Sequence, residues 1–209
     1  GDVYKRQMYD IPIVYESIYD LPEEEIVKEI ECGKRLYYYG LRGRRFLRGN
    51  SKIADAAYDK KNQIEFKILI SNPYNANIEK RLKQVEDFSK QDALENHWKT
   101  IYEDIKHLRD DFPSYPLWGI RFHNQPLYFR FIMTDEHVYF GFYTEQPSSL
   151  SAMYCYSNKS ALYGSLSAFF DSEWENAKLS FPRTVPDRCS FVLDRFEICL
   201  LYTSPSPRD

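Results

Sequence analysis

The chain has 209 residues, 43% hydrophobic and 28% charged, which is the composition of a globular protein of single-domain size with enough apolar surface for a real core. Its formal charge of −3 lacks the basic excess expected of a general nucleic-acid binder, and no apolar run is long enough to span a membrane. Cys32, Cys155, Cys189 and Cys199 contain no Cys-x-x-Cys pair, and His97, His107, His123 and His137 are equally scattered. Neither a disulfide framework nor a metal site is expected, no cofactor is implied, and a reducing cytoplasm is the compartment that fits.

Both ends are set aside first. Residues 1–7, GDVYKRQ, and 199–209, CLLYTSPSPRD, resemble translated sequencing-adapter read-through of the kind met on metagenomic proteins, and such scars are excluded from fold reasoning. A single domain over 8–198 is expected. Removing Asp2, Lys5, Arg6, Arg208 and Asp209 leaves the acidic excess standing.

In chain order, Pro22 followed by Glu23, Glu24 and Glu25 predicts a helix start, because proline suits the first turn and acidic groups complement the helix N-terminus. Cys32-Gly33-Lys34 ends that helix, and 35–41, RLYYYGL, has the aromatic content of a central strand. The loop 42–51 then carries Arg42, Arg44, Arg45 and Arg48 with two glycines, Gly43 and Gly49, the densest positive charge in the chain. It lacks the Gly-Lys-Ser/Thr ending of a nucleotide-binding P-loop, yet a strand, a loop and a helix N-terminus make an anion site physically cheap. These arginines are candidate ligand-binding residues; solvation of a loop or pairing with the acidic first helix is the competing reading. Asn50 or Ser51 is the expected cap of a helix over 52–60.

A second strand is expected over 63–70 and a turn at Ser71-Asn72-Pro73. Apolar residues spaced by three and four through 78–111, with a break of phase at 89–92, predict two helices or a kinked one. Pro113 to Pro116 stops them, and 117–123 alternates into a strand with Arg121 and His123 on one face. Asn124-Gln125 is the length of a hairpin connection. In that register Arg121 sits opposite Tyr128, and Arg121, His123, Tyr128 and Arg130 share a face.

The most strongly patterned run is 127–146, LYFRFIMTDEHVYFGFYTEQ. Period-two alternation puts Leu127, Phe129, Phe131 and Met133 on one face and Tyr128, Arg130, Ile132 and Thr134 on the other. Thr134 to His137 reads as a turn and 138–143 as the returning strand. A Pro/Ser loop over 147–151, a strand over 152–156, a cap at Ser157-Asn158 and a helix over about 160–178 follow, with Leu162, Leu166, Phe169, Phe170, Trp174 and Ala177 as its buried stripe. A further edge strand is expected within SFVLDRFEI after 189. Strands alternating with helices predict an α/β fold, a mixed sheet with helices on its faces.

The spacing Tyr128-x-Arg130-x4-Asp135, followed by Gly141, resembles the His-x-Lys-x4-Asp motif of the phospholipase D superfamily. QIEFKILISNPY at 63–74 is similar to that family's second strand, and LSAFFDSEWENAK at 166–178 to its aromatic closing helix. The likeness covers about 35–178 and implies a phospholipase D-like half-domain. In that family the His is the nucleophile, the Lys holds a phosphoryl oxygen and the Asp orients the machinery. Here Tyr128 and Arg130 replace the first two, and Gly141-Phe142-Tyr143-Thr144 lacks the family's Gly-Ser-x-Asn continuation.

Arginine suits phosphate, since its planar fork makes bidentate hydrogen bonds and stays charged. The expectation is therefore a catalytically degenerate domain that binds a phosphate-bearing ligand, a nucleotide or nucleic-acid end, as a sensor or effector module. Tyr128, Arg130 and Asp135 would occupy the motif positions, His123 would be a general acid or base, and Arg121, Arg42, Arg44 and Arg45 would touch the ligand. The resemblance further implies a homodimer with the motif strands meeting on its two-fold axis. An active phosphodiesterase or nuclease using Tyr128 or His123, and a purely structural dimerisation module, are the alternatives.

Overall fold

The computed structural model describes residues 11–43, 51–60, 63–71, 118–144, 150–177 and 179–180. The helices expected over 78–111, the arginines at 44, 45 and 48 and the edge strand after 189 lie outside these residues. Among the described residues the strands are β1 (Ile13–Tyr15), β2 (Arg35–Gly40), β3 (Glu65–Ser71), β4 (Trp118–His123), β5 (Phe129–Met133), β6 (His137–Phe142), β7 (Met153–Ser157) and β8 (Leu179–Ser180), and the α-helices are α1 (Glu23–Cys32), α2 (Lys52–Asp59) and α3 (Ala161–Asn176). No helix among them is long and apolar enough to cross a membrane.

All eight strands form one sheet in the order β1-β7-β6-β5-β2-β3-β4-β8. Strands β2, β3 and β4 run parallel, and every other pairing is antiparallel. The sheet is therefore mixed, with α1 and α2 on one face and α3 on the other, as an α/β fold requires. On the first face Ile26, Ile30, Ile53, Ala56 and Ala57 pack against Leu36, Tyr38, Ile68, Ile120 and Ile132. On the second, Leu166, Phe170 and Trp174 of α3 cover Tyr37, Tyr39, Leu69, Phe131 and Phe140. Burial on both faces explains why Tyr37, Tyr38 and Tyr39 in succession occupy a central strand.

Local chemistry sets the element ends. Ser51 Oγ accepts from the Ala54 amide at 3.4 Å to start α2, and the Gly33 amide closes α1 by donating to the Glu29 carbonyl. For α3 the cap is Ser160, whose Oγ accepts from the Tyr163 amide at 3.1 Å, and not Ser157 or Asn158. Those two belong to the end of β7 and its turn, where the Asn158 amide donates to the Glu136 carbonyl at 2.7 Å. The expected sequence signal was right in kind and displaced by one turn residue set.

The expected hairpin between β4 and β5 does not form, because β3 and β2 lie between them. Three strand spacings separate β4 from β5, about 14 Å, and the six Cα steps from His123 to Phe129 reach roughly 20 Å when extended. The connection therefore crosses the ends of β3 and β2 with some slack, bending at Gln125 and Tyr128, and Pro126, which has no amide to donate, suits a segment without a strand partner. This route places Arg121 and His123 against α3, whereas Arg130 faces the side of α1 and α2. The four residues expected on one face are thus divided between two.

Candidate functional site

The parallel strands end together at Gly40, Ser71 and His123, and β5 begins at the same rim. In open α/β sheets the carboxyl ends of the strands are the usual place for a ligand crevice. At this rim Arg130, on the α1/α2 side, is 4% exposed, and Arg42, just past the end of β2, is 7% exposed. Both side chains are thus largely withdrawn from water.

Two tyrosines hold the arginine region together. The Arg130 Cζ lies 5.4 Å from the centroid of the Tyr143 ring, a cation–π distance. Tyr143 Oη accepts from the Leu41 amide at 2.8 Å and hydrogen-bonds Tyr38, whose hydroxyl also meets the Gly43 backbone. Burial drives the Tyr38 phenol well above its ordinary range, with Arg130 pulling the other way; the phenol stays neutral. Arg42 sits between Leu41 and Gly43, the two residues that contact these hydroxyls, so its backbone is held on both sides. Gly43 has φ +64°, a conformation that a residue with a Cβ adopts only under strain.

Gly40 completes this corner because a Cβ there would overlap the Tyr38 hydroxyl and come within 2.9 Å of Tyr143 Oη. Gly40→Ala is expected to push both phenols aside and cost about 1–3 kcal/mol, as overpacking does. Chemical denaturation of the variant beside the wild type checks the loss. Neither Tyr38 nor Tyr143 was singled out by sequence reasoning. Tyr38 was absorbed into a strand-like aromatic run, and Tyr143 shows its role only once its hydroxyl is seen on the Leu41 amide.

The remaining candidates are dispersed. Tyr128 stands at the rim with 68% exposure. Asp135 is at the opposite end of β5, where one carboxylate oxygen accepts from the amides of Lys34 at 2.5 Å and Arg35 at 3.0 Å. It fastens the start of β2, far along the strand from Arg130. Arg121 donates to the Trp174 carbonyl and lays its guanidinium over the indole at 4.3 Å, which ties β4 to the end of α3.

His123 is 2% exposed and stacked on Tyr39 at 4.3 Å between centroids. Its Nδ1 is 3.4 Å from Tyr39 Oη and its Nε2 is 3.4 Å from the Gly40 carbonyl. Burial pulls its pKa down to about 4, against a smaller upward pull from Gly40, so the ring is neutral at pH 7. With the folded value below the unfolded 6.5, the unfolded chain takes the proton first. This contribution to stability is full above pH 6.5 and is expected to fall away between pH 6.5 and about 4, by an amount on the order of 3 kcal/mol. His123→Phe should flatten the pH dependence of the denaturation midpoint across that window.

Sequence reasoning also missed a polar cluster at the opposite rim. Glu29 of α1 receives His137 Nδ1 at 2.7 Å and Tyr139 Oη at 3.0 Å on one oxygen, and Thr134 Oγ1 at 2.6 Å on the other. The signal was present in the helix pattern: Glu29 lies three residues beyond Ile26 and one before Ile30, both fully buried, and so belongs to the inward face. Among the described residues no group of three His, Cys, Asp or Glu is arranged to hold a metal ion.

No protein family's sequence profile matches the chain, and no curated protein does. Several solved structures are similar to it, three of them as follows. TrmBL2, an archaeal chromatin protein, is 14% identical with a TM-score of 0.45, over 80% of this chain and 52% of its own. Nuc, a phospholipase D family member from Salmonella typhimurium, is 12% identical with a TM-score of 0.43, over 81% of this chain and 98% of its own. Phosphatidylserine synthase from Haemophilus influenzae is 14% identical with a TM-score of 0.47, over 97% of this chain and 47% of its own. The chain thus spans about half the length of TrmBL2 and of the synthase and nearly all of Nuc.

Proposed function

We propose that the protein is a phospholipase D-like domain that binds a phosphate-bearing ligand, a nucleotide or nucleic-acid end, at the carboxyl rim of its parallel strands, and that it serves as a sensor or effector without turnover. The observation that carries this reading is the burial of two arginines at the ends of neighbouring strands, Arg130 against Tyr143 and Tyr38, and Arg42 between Leu41 and Gly43, whose backbone meets those two tyrosines. Charge held in a poorly solvated place interacts with an anion far more strongly than the same charge in water, and a guanidinium fork matches a phosphate's oxygens. Arg44 and Arg45 follow directly in the chain and are assigned to the same anion.

The absence of turnover in this reading rests on dispersal. A displacement at phosphorus needs nucleophile, acid–base group and orienting carboxylate around one reacting atom. Here Asp135 is engaged at the far rim, and His123 is neutral, enclosed and on the other face of the sheet. Pairing of two chains, implied by the motif resemblance, belongs to the same reading and is checked by light scattering with and without anion.

The test is a titration with pyrophosphate by calorimetry. Binding that weakens as salt rises, as it must for an ion pair, and that disappears in Arg130→Met supports the proposal. Wild-type protein that takes up no pyrophosphate at low salt overturns it.

A further inference from the structure

We propose that Tyr128 is a stacking platform for an unpaired base, so that the ligand of the arginine rim is the end of a single-stranded nucleic acid read without regard to base identity. The inference rests on the phosphate reading above and adds the second half of the ligand.

Tyr128 differs from most of the aromatic residues around it, Phe142 at 54% exposure being the exception. Tyr37, Tyr38, Tyr39 and Tyr139 are all buried, whereas Tyr128 leaves 68% of its surface in water. Its ring is nevertheless not on a loose loop. Its amide donates to the Pro126 carbonyl at 3.1 Å, and its carbonyl accepts from the Tyr143 amide at 2.9 Å. That second bond continues the β5–β6 ladder one step past Phe129 and Phe142 and makes Tyr143 the cross-strand neighbour of Tyr128. Such neighbours have Cβ atoms about 5 Å apart on one side of a sheet.

Tyr143 in turn carries the Arg130 guanidinium on its ring at 5.4 Å. An exposed aromatic face, a half-buried aromatic ring and a buried cation therefore follow one another across the rim. A ligand that offers a flat π-face next to a phosphate meets both ends of this row, and a nucleotide is such a ligand. A phospholipid would instead need an apolar channel beside the arginines, and a sugar phosphate would need polar side chains for its hydroxyls. Stacking on a phenol ring is open to every base, since each has a π-face, and it requires no hydrogen-bond readout. Stacking also needs the base out of a duplex, which selects a single-stranded end.

The test compares three probes of known charge: a 5′-phosphorylated thymidine tetranucleotide, the same oligomer with abasic residues in place of the thymidines, and pyrophosphate. Competition binding at fixed salt is expected to show the thymidine oligomer bound about tenfold more tightly than the abasic one, the order of one base–aromatic stack. Tyr128→Ala and Tyr128→Leu should both erase that preference, and Tyr128→Phe should keep it, because the flat ring and not its apolar character is what acts. Equal binding of the two oligomers by the wild type, or a preference that survives Tyr128→Ala, overturns the stacking proposal while the phosphate site stands. A wild type that binds neither oligomer nor pyrophosphate removes the phosphate reading and this one with it.

Discussion

Arg130→Met is expected to abolish pyrophosphate binding while leaving the protein as stable as before or more so. Arg130 points from β5 into the α1/α2 face, 4% exposed, opposite Gly141 and beside the Tyr143 ring. A methionine can follow most of the arginine stem and fill its volume. Replacing a buried charge by an apolar side chain of similar size is often neutral or stabilising by about 1–4 kcal/mol, because the desolvation penalty is relieved. The binding effect has the opposite sign, since methionine offers a phosphate nothing. A denaturant melt and a calorimetric titration of the same variant separate the two roles. If the variant loses several kcal/mol of stability and still binds pyrophosphate, Arg130 is a structural residue and the anion site lies elsewhere.

The second large effect is at the other rim. Glu29→Ala is expected to destabilise the fold by about 2–4 kcal/mol, because it strips three side-chain donors of a shared acceptor and two of them, Thr134 and Tyr139, lie in fully buried residues. The bond to His137 adds a pH dependence whose sign can be worked out. Its hydrogen bond to Glu29, set against burial, holds the His137 pKa above 6.5. Burial would raise the Glu29 value, yet the bonds from His137 and Thr134 outweigh it and hold it below 4.5.

A raised histidine contributes stability that is complete below the unfolded pKa and lost as pH climbs through the folded one. A lowered carboxylate contributes stability that is complete above the unfolded pKa and lost as pH falls through the folded one. The pair is therefore strongest between pH 4.5 and 6.5 and weakens on both sides. Tyr15, Glu25, Glu136 and Cys155 also face this cluster, so His137→Gln is the variant that isolates the imidazole. It should flatten the alkaline side of the stability profile and leave the acid side to Glu29. Because the His137 side chain is 36% exposed, its share stays near the small values of solvent-screened ion pairs. A wild-type profile that keeps its full stability through pH 9 rules out this account of the pair.

His123 pulls the acid side in the same direction as Glu29 and for a different reason. Glu29 loses a charge it needs, whereas His123 resists gaining one in a place that excludes water. The two are separable because His123 acts between pH 6.5 and about 4 and Glu29 only below 4.5.

Much of the local architecture was legible in the residues. Three glutamates after Pro22, the Ser51 cap, the aromatic run at Tyr37 to Tyr39 and the alternation through Phe129, Phe131 and Met133 each correspond to an element in the structure. These signals are short in range, because caps, helix dipoles and period-two burial act among neighbours in the chain. Arg130 was recognised as a candidate from its spacing, and its placement on the face away from the phenylalanines followed from the same alternation. That this face was also buried did not follow, since alternation distinguishes two faces of a strand and says nothing of what covers either.

What only the tertiary structure decided is which strand lies beside which. Loop length suggested a hairpin joining Arg121 to Tyr128, and the sheet instead inserted β3 and β2 between them. The physical reason is that the strands with the most apolar surface on both sides take the central positions, where two helical layers can cover them, and the less demanding connection stretches across their ends. That competition is settled by the whole chain at once. The sequence by itself thus determined most of the described elements, the two faces of β5 and the arginine-bearing strand; the packing determined what covers each face, and that Tyr143 and Tyr38, and not Arg121 and His123, would stand beside Arg130.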